Sequence, residues 1–104
     1  MDRETARVAK KFVERLKKVY ALDRVILFGS RARGDHFKTS DFDFIIVSKN
    51  FSSIPFLERL SRMYDYWEED VDVEAICYTP DEFSRKSREH GIVRRAVEEG
   101  IGIA

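Results

Sequence analysis

The chain has 104 residues, 43% of them hydrophobic and 37% charged, which predicts one globular domain over residues 1–104 and excludes a disordered chain. Its 19 basic and 19 acidic side chains give zero net charge, which argues against nucleic acid as a direct partner because such affinity comes mostly from phosphate neutralisation. The single cysteine excludes an intramolecular disulfide and favours a cytoplasmic protein, and the longest apolar run, of about four residues, is too short to span a membrane.

The first half of the chain predicts a helix, two strands and a helical turn. Residues 2–20 carry apolar side chains at spacings of three and four, which is typical of an amphipathic helix. Residues 24–28 and 41–48 are rich in β-branched and aromatic side chains, which favours strands. Between them, residues 30–34 predict one helical turn, and a loop continues through Thr39.

The second half predicts another helix, a third strand and a helical tail. The apolar spacing over residues 54–66 indicates an amphipathic helix, and residues 71–78 have the pattern of a strand. Residues 79–88 open with Thr-Pro-Asp-Glu, a helix-start signal, and a bend near residues 90–91 precedes a further turn or two that ends at Gly100. The order α-β-α-β-α-β-α predicts an α/β (α+β) fold, in which helices pack on a small mixed sheet.

Charge is distributed unevenly along the chain although its sum is zero. Residues 1–20 carry seven basic and three acidic side chains, residues 65–74 carry six acidic and no basic ones, and residues 85–95 carry five basic side chains and one acidic. Runs of this kind usually mark solvated helix faces, and both basic blocks are interpreted in that way.

A phosphate-binding turn is predicted where the first strand ends. Gly29 and Ser30 open a short helix directly after that strand. Glycine lets the backbone approach a ligand closely, and the N–H groups of a first helical turn are unpaired and attract anions. The Ser30 hydroxyl adds a donor, and Arg31 and Arg33 add cationic donors nearby. Together these groups could hold a triphosphate.

Two aspartates follow Ser30 after ten intervening residues. Asp41 and Asp43 lie two apart on a predicted strand, so both carboxylates project from one face, while Phe42 and Phe44 point to the other. Adjacent carboxylates repel each other and are normally tolerated when a cation lies between them. Mg²⁺ prefers one or two carboxylates together with phosphate oxygens and water. A phosphate-binding turn beside such a pair predicts phosphoryl or nucleotidyl transfer.

A third carboxylate would complete a two-metal site. The third predicted strand offers Asp72 and Glu74, again two apart and on one face. Either side chain could lie beside Asp41 and Asp43 if the second and third strands are neighbours. Each of these features alone is more often structural, so it is their combination that favours a functional site.

These residues resemble a known signature. Phe28-Gly29-Ser30, ten intervening residues and Asp41-Phe42-Asp43-Phe44 are similar to the signature of the nucleotidyltransferase superfamily that includes DNA polymerase β. The longer run from Gly29 to Asp43 resembles the superfamily's short prokaryotic branch, the minimal nucleotidyltransferases. The resemblance covers the whole chain and implies a polymerase β-like fold.

The same resemblance implies roles for individual residues. Gly29 and Ser30 would bind the phosphates of ATP or another nucleoside triphosphate, with Arg31, Arg33 and Ser40 as their neighbours. Asp41, Asp43 and a third acid would bind Mg²⁺, expected as two ions, and the third acid would activate the acceptor hydroxyl. Glu74 is favoured over Asp72 for that position.

The resemblance also implies a protein partner. Large members of the superfamily add a second domain, for which this chain has no residues, so the base pocket should be open and the acceptor should come from another molecule. In the minimal branch the partner is often a small helical HEPN-domain toxin, and the nucleotidyltransferase acts as its antitoxin by attaching AMP to a tyrosine hydroxyl. The alternatives are a non-catalytic binding module that neutralises its partner by complex formation, and a stand-alone small-molecule nucleotidyltransferase.

Overall fold

The computed structural model describes all 104 residues and contains five helices and four strands. Two 3₁₀ turns, at Lys49–Ser53 and Tyr64–Tyr66, precede and follow the third helix. No helix has both the length and the apolar character that crossing a bilayer requires. The elements in chain order are α1 Arg3–Lys17, β1 Leu22–Phe28, α2 Ser30–Arg33, β2 Phe42–Ser48, α3 Phe56–Met63, β3 Val73–Tyr78, α4 Pro80–Arg88, α5 Ile92–Glu99 and β4 Ile101–Gly102.

The four strands form one mixed sheet in the order β3-β2-β1-β4. Strand β1 is antiparallel to β2 and β4, whereas β2 and β3 are parallel. The predicted fold class, a small mixed sheet packed with helices, is therefore confirmed. The helical tail is two separate helices, α4 and α5, because Gly91 between them adopts φ 150°. The two-residue strand β4 was not predicted.

Alternate side chains of β2 enter two separate cores, as the two-residue period of a strand requires. Phe42 and Phe44 belong to the larger core, where the ring centroid of Phe12 in α1 lies 5.1 Å from that of Phe44. Ile45 points to the opposite face and packs in a smaller core to which α4 and α5 contribute. Asp43 lies on the same face as Ile45, so its partly buried carboxyl group lies on the sheet face that carries the smaller core.

Buried Arg59 fixes α4 against the sheet. Thr79 and Glu82 form a reciprocal capping box at the start of α4, in which Glu82 Oε1 accepts from the Thr79 N–H at 2.8 Å. The Arg59 guanidinium donates to Glu82 Oε1 at 2.6 Å and to the Cys77 carbonyl at 3.0 Å. These bonds join α3, β3 and α4, so α4 is held across the face that carries Asp43.

Candidate active site

The strand directions bring three parts of the sequence to one end of the sheet. Because β1 is antiparallel to β2, its last residue, Phe28, pairs with Asp43 near the start of β2. Because β3 is parallel to β2, Glu74 pairs with Asp43 from the other side. Residues paired at the same level project to the same face, so the Asp43 and Glu74 carboxyl groups lie side by side. Gly29 follows Phe28 directly, so it lies at the same end of the sheet as Asp43 and Glu74.

Gly29 has to be a glycine for two reasons. Its φ of 75° lies in the region that side chains disfavour. A Cβ atom built at this position would also overlap Asp43 Oδ2. The Gly29 carbonyl accepts from the Ala32 and Arg33 N–H groups at 3.1 Å, so the single helical turn α2 starts directly beside the aspartate. The predicted phosphate-binding turn and the predicted carboxylate are therefore in contact.

The carboxylates shift the acid–base equilibrium of Asp43. Burial, the charge of Glu74, a side-chain hydrogen bond with Glu74 and the charge of Asp41 together raise the pKa of Asp43 to about 6, and nearby Arg33 opposes the shift. Asp41 itself is exposed and precedes the first residue of β2. The structure thus places Asp41, Asp43 and Glu74 within electrostatic reach of one another, with an excess of negative charge.

Replacing Asp43 with Asn should stabilise the protein at high pH when divalent cations are removed with a chelator. The Asp43 pKa of about 6 lies above the usual 3.8, so the folded form binds the proton more tightly than the unfolded form does. Protonation of Asp43 therefore stabilises the folded protein, and this contribution to the free energy of unfolding is lost as pH rises through 6. At pH 8, Asp43→Asn should therefore be about 1–2 kcal/mol more stable, less than the full linkage value because Asp43 is partly exposed. Below pH 4 the difference should vanish.

Urea denaturation between pH 3 and pH 8 measures this difference. Asp23→Asn is a suitable control, because Asp23 is exposed on β1. A destabilised Asp43→Asn variant at pH 8, or a difference that does not depend on pH, would contradict the electrostatic description.

Asp72 lies outside this cluster. It precedes β3 and is exposed, and its carbonyl accepts from the Phe42 N–H at 3.0 Å. The charges that shift the pKa of Asp43 are those of Glu74, Asp41 and Arg33. Of the two acids considered for the third carboxylate, Glu74 is thus the one that the geometry brings beside Asp43.

The Arg31 side chain turns into the protein instead of toward the phosphate-binding turn. Only 4% of the residue is exposed, and its guanidinium carbon lies 4.3 Å from the Phe42 ring centroid. It donates to the carbonyls of Ser40 and Lys38 at 3.0 and 3.1 Å and to Thr5 Oγ1 at 3.3 Å. We therefore assign Arg31 to positioning the loop between α2 and β2, since its donors are already occupied.

Ser40 and Arg33 differ in their surroundings. Ser40 Oγ accepts from the Phe37 N–H at 2.9 Å, which holds the same loop. Arg33 is exposed and pairs with Asp35 at 3.2 Å. Among the predicted phosphate neighbours, Arg33 is the cation that remains available to a ligand, because a surface ion pair of this kind is weak.

Arg31→Met should destabilise the protein by about 2 kcal/mol, because it removes the charged donors that the partly buried hydrogen bonds to the Lys38 and Ser40 carbonyls depend on. Arg33→Met should change the free energy of unfolding by less than about 0.5 kcal/mol, because its ion pair is exposed. Urea denaturation of the two variants provides the comparison. Equal stabilities would show that Arg31 does not hold the loop.

A cleft of about 200 Å³ opens beside Gly29. One wall comes from the end of β1 and from α2, and the opposite wall comes from α5. The sequence offered little indication that α5 would line a cleft, because the basic block over residues 85–95 has the pattern of a solvated helix face. The lining residues are Phe28, Gly29, Arg33, Ile92, Arg95, Ala96 and Glu99.

The carboxylates have the chemistry of a divalent-cation site. Carboxylate oxygens are the protein ligands that Mg²⁺ uses, typically one or two of them together with phosphate oxygens and water. A cation beside Asp43 and Glu74 would also relieve the repulsion that raises the Asp43 pKa. No group of three His, Cys, Asp or Glu side chains forms a complete metal cage, so a bound cation would need ligands from its substrate or from water.

Comparison with known proteins agrees with this geometry. The family model described as "Nucleotidyltransferase domain" matches residues 7–103. A relative from Methanocaldococcus jannaschii, named "Putative protein adenylyltransferase", is 36% identical over 52 residues. That alignment covers 50% of this chain and 52% of the relative, so the chain spans about half of the relative's length.

A solved structure supports the fold over nearly the whole chain. The crystal structure of a "putative nucleotidyltransferase" from Sulfolobus solfataricus superposes with a TM-score of 0.65 at 26% sequence identity. The superposition covers 95% of this chain and 78% of that chain. The predicted resemblance to nucleotidyltransferases is therefore confirmed at the level of both sequence and fold.

Proposed function

The chain belongs to the nucleotidyltransferase domain family, and from this premise we propose that it transfers AMP from ATP to a hydroxyl group of a partner protein in a Mg²⁺-dependent reaction. The observation that carries the proposal is the contact of Gly29 with Asp43, and of Asp43 with Glu74, at one end of the sheet. This contact supports the proposal, because a turn suited to phosphate would lie beside acidic side chains suited to a divalent cation, as nucleotidyl transfer requires.

The proposed reaction is an in-line displacement at the α-phosphorus of ATP. Gly29 and Ser30 hold the phosphates through backbone N–H groups and the serine hydroxyl. The acceptor oxygen forms a bond to the α-phosphorus, the bond from that phosphorus to the bridging β-phosphate oxygen breaks, and pyrophosphate leaves. Glu74 takes the proton of the acceptor hydroxyl. One or two Mg²⁺ ions held by Asp41, Asp43 and Glu74 would neutralise the phosphate charge.

AMP and a protein acceptor are supported by the Methanocaldococcus jannaschii relative, whose name describes a protein adenylyltransferase. The openness of the site is a second support, because the cleft beside Gly29 has walls only from β1, α2 and α5. We propose that the acceptor is a tyrosine of a small helical HEPN-domain protein and that this chain is its antitoxin. This finer proposal is supported by the resemblance to the minimal branch.

Purified HEPN-domain protein from a neighbouring reading frame is the direct substrate to test. Incubation with this chain, ATP and Mg²⁺ should add one adenylyl group to a tyrosine, detected by mass spectrometry of peptides. An Asp41→Asn/Asp43→Asn double variant should add none, and a Tyr→Phe partner should accept none. Transfer to a small-molecule hydroxyl but not to the protein would refute the protein acceptor. Equal toxin neutralisation by the double variant would instead support the non-catalytic binding module.

A further inference from the structure

Arg95 is a cation without a protein partner. It lies on α5 and lines the cleft that contains Gly29. Its backbone N–H donates to the Gly91 carbonyl at 3.1 Å, whereas its guanidinium makes no hydrogen bond or ion pair within the protein. The preceding residue, Arg94, behaves differently, because it pairs with Glu98 at 3.2 Å and approaches His90 Nδ1 at 3.4 Å. Neighbouring arginines on one helix therefore have different surroundings, and only Arg95 shares a cleft with the phosphate-binding turn.

The arrangement of charge favours a cation on the α5 side of Gly29. Asp43 and Glu74, paired on neighbouring strands, place two carboxyl groups on the other side of the turn. A triphosphate bound at Gly29 carries several negative charges, so its phosphates are repelled from the carboxylates wherever no cation intervenes. Arg33 also lines the cleft, on the α2 side, where its exposed ion pair with Asp35 is weak and leaves it available to a ligand, so Arg95 is the cation on the α5 side.

The remaining lining of the cleft is compatible with a guanidinium–phosphate contact. Phe28, Ile92 and Ala96 make part of the wall apolar, which lowers the local dielectric and strengthens a charge-assisted hydrogen bond. Glu99 lies one helical turn after Arg95 on the same wall, yet the two form no ion pair. The Arg95 donors are thus free for a planar, two-oxygen contact with phosphate.

We propose that Arg95 is a nucleotide-binding residue that holds the terminal phosphates of the triphosphate, on the α5 side of Gly29. The inference rests on the proposed function and extends it to a residue outside the Gly-Ser and Asp-Phe-Asp sequences. It also gives one member of the basic block over residues 85–95 a role other than solvation.

Calorimetric titration with three probes tests this assignment: ATP, inorganic tripolyphosphate and adenosine. Arg95→Gln should weaken the binding of ATP and of tripolyphosphate by about tenfold and leave adenosine affinity unchanged, because a charge-assisted contact to phosphate is lost. Arg94→Gln is the matched control and should change all three affinities by less than about twofold, because its partners lie outside the Gly29 cleft. Both residues are exposed, so both variants should fold.

Three results would overturn the assignment. Unchanged affinity of Arg95→Gln for ATP and tripolyphosphate would do so while leaving the proposed function in place. Weaker adenosine binding with unchanged tripolyphosphate binding would overturn it by making the cleft a base site. A wild-type protein that binds neither ATP nor tripolyphosphate would overturn the assignment together with the proposed function.

Discussion

Glu74→Gln is expected to reduce the rate of AMP transfer by roughly a hundredfold or more, because removing a general base typically costs a factor of 10²–10⁴. Glu74 pairs with Asp43 across parallel strands, so its carboxylate lies beside Asp43, where the proposed reaction would take place. Nucleotide affinity should change by only about a fewfold, because the phosphates are held at the Gly29 turn and by arginine. Rates under single-turnover conditions and calorimetric affinities measure the two effects separately.

Asp72→Asn is the matched control for Glu74→Gln. Asp72 lies two residues earlier, is also exposed, and stands outside strand β3. Its replacement should change the transfer rate by less than about threefold, since a carboxylate beyond the cluster contributes only a screened charge. The reverse ranking of the two variants would move the acceptor-activating role to Asp72.

Gly29→Ala is expected to lower transfer to about one percent of wild type or less, because displacing a reacting group by about 1 Å can cost a hundredfold. The added Cβ would overlap Asp43 Oδ2, so the aspartate or the turn must move. The Gly29 backbone, at φ 75° and ψ −159°, lies in a region that is essentially restricted to glycine, so the alanine also adds backbone strain of about 1–3 kcal/mol. Transfer assays and thermal unfolding of the same preparation measure both consequences.

Gly34→Ala is a control for a positive-φ glycine without the overlap. Gly34 has φ 87° and ψ 5°, in the left-handed helical region, and a Cβ there would meet no atom within 4 Å. The variant should lose about 1 kcal/mol of stability, less than Gly29→Ala, and retain most of its transfer activity. Equal activity losses in the two variants would show that the Gly29–Asp43 contact is not what organises the site.

Local patterns allowed the strands and the site sequences to be predicted. The Gly-Ser turn follows directly from the end of β1, and the alternation of Asp and Phe at the start of β2 separates carboxylates from the core side chains. The pairing of Asp43 with Glu74 depends on β2 and β3 being parallel neighbours. The sequence left that arrangement open, so the strand pattern alone allowed both Asp72 and Glu74, and Glu74 was favoured only through the family resemblance.

Features that depend on long-range packing were not predictable. Arg31 sits among basic and polar residues in the sequence, yet its guanidinium stacks on Phe42 and holds the carbonyl of Ser40. The proposed role of Arg95 depends on α5 folding back to face Gly29. Strand β4 has only two residues, which is too short to show the alternating hydrophobic pattern of a strand, and it is defined by its pairing with β1.

The fate of the α-phosphate of ATP tests the central claim most directly. In parallel reactions with ATP radiolabelled in the α- or the γ-phosphate, wild-type protein and Mg²⁺ should move the α-label alone onto the acceptor and release pyrophosphate. Asp43→Asn should move neither label, because Asp43 is the residue that joins the turn to the carboxylates. Transfer of the γ-label to the acceptor, or unchanged α-label transfer by Asp43→Asn, would contradict the assignment of this site to nucleotidyl transfer.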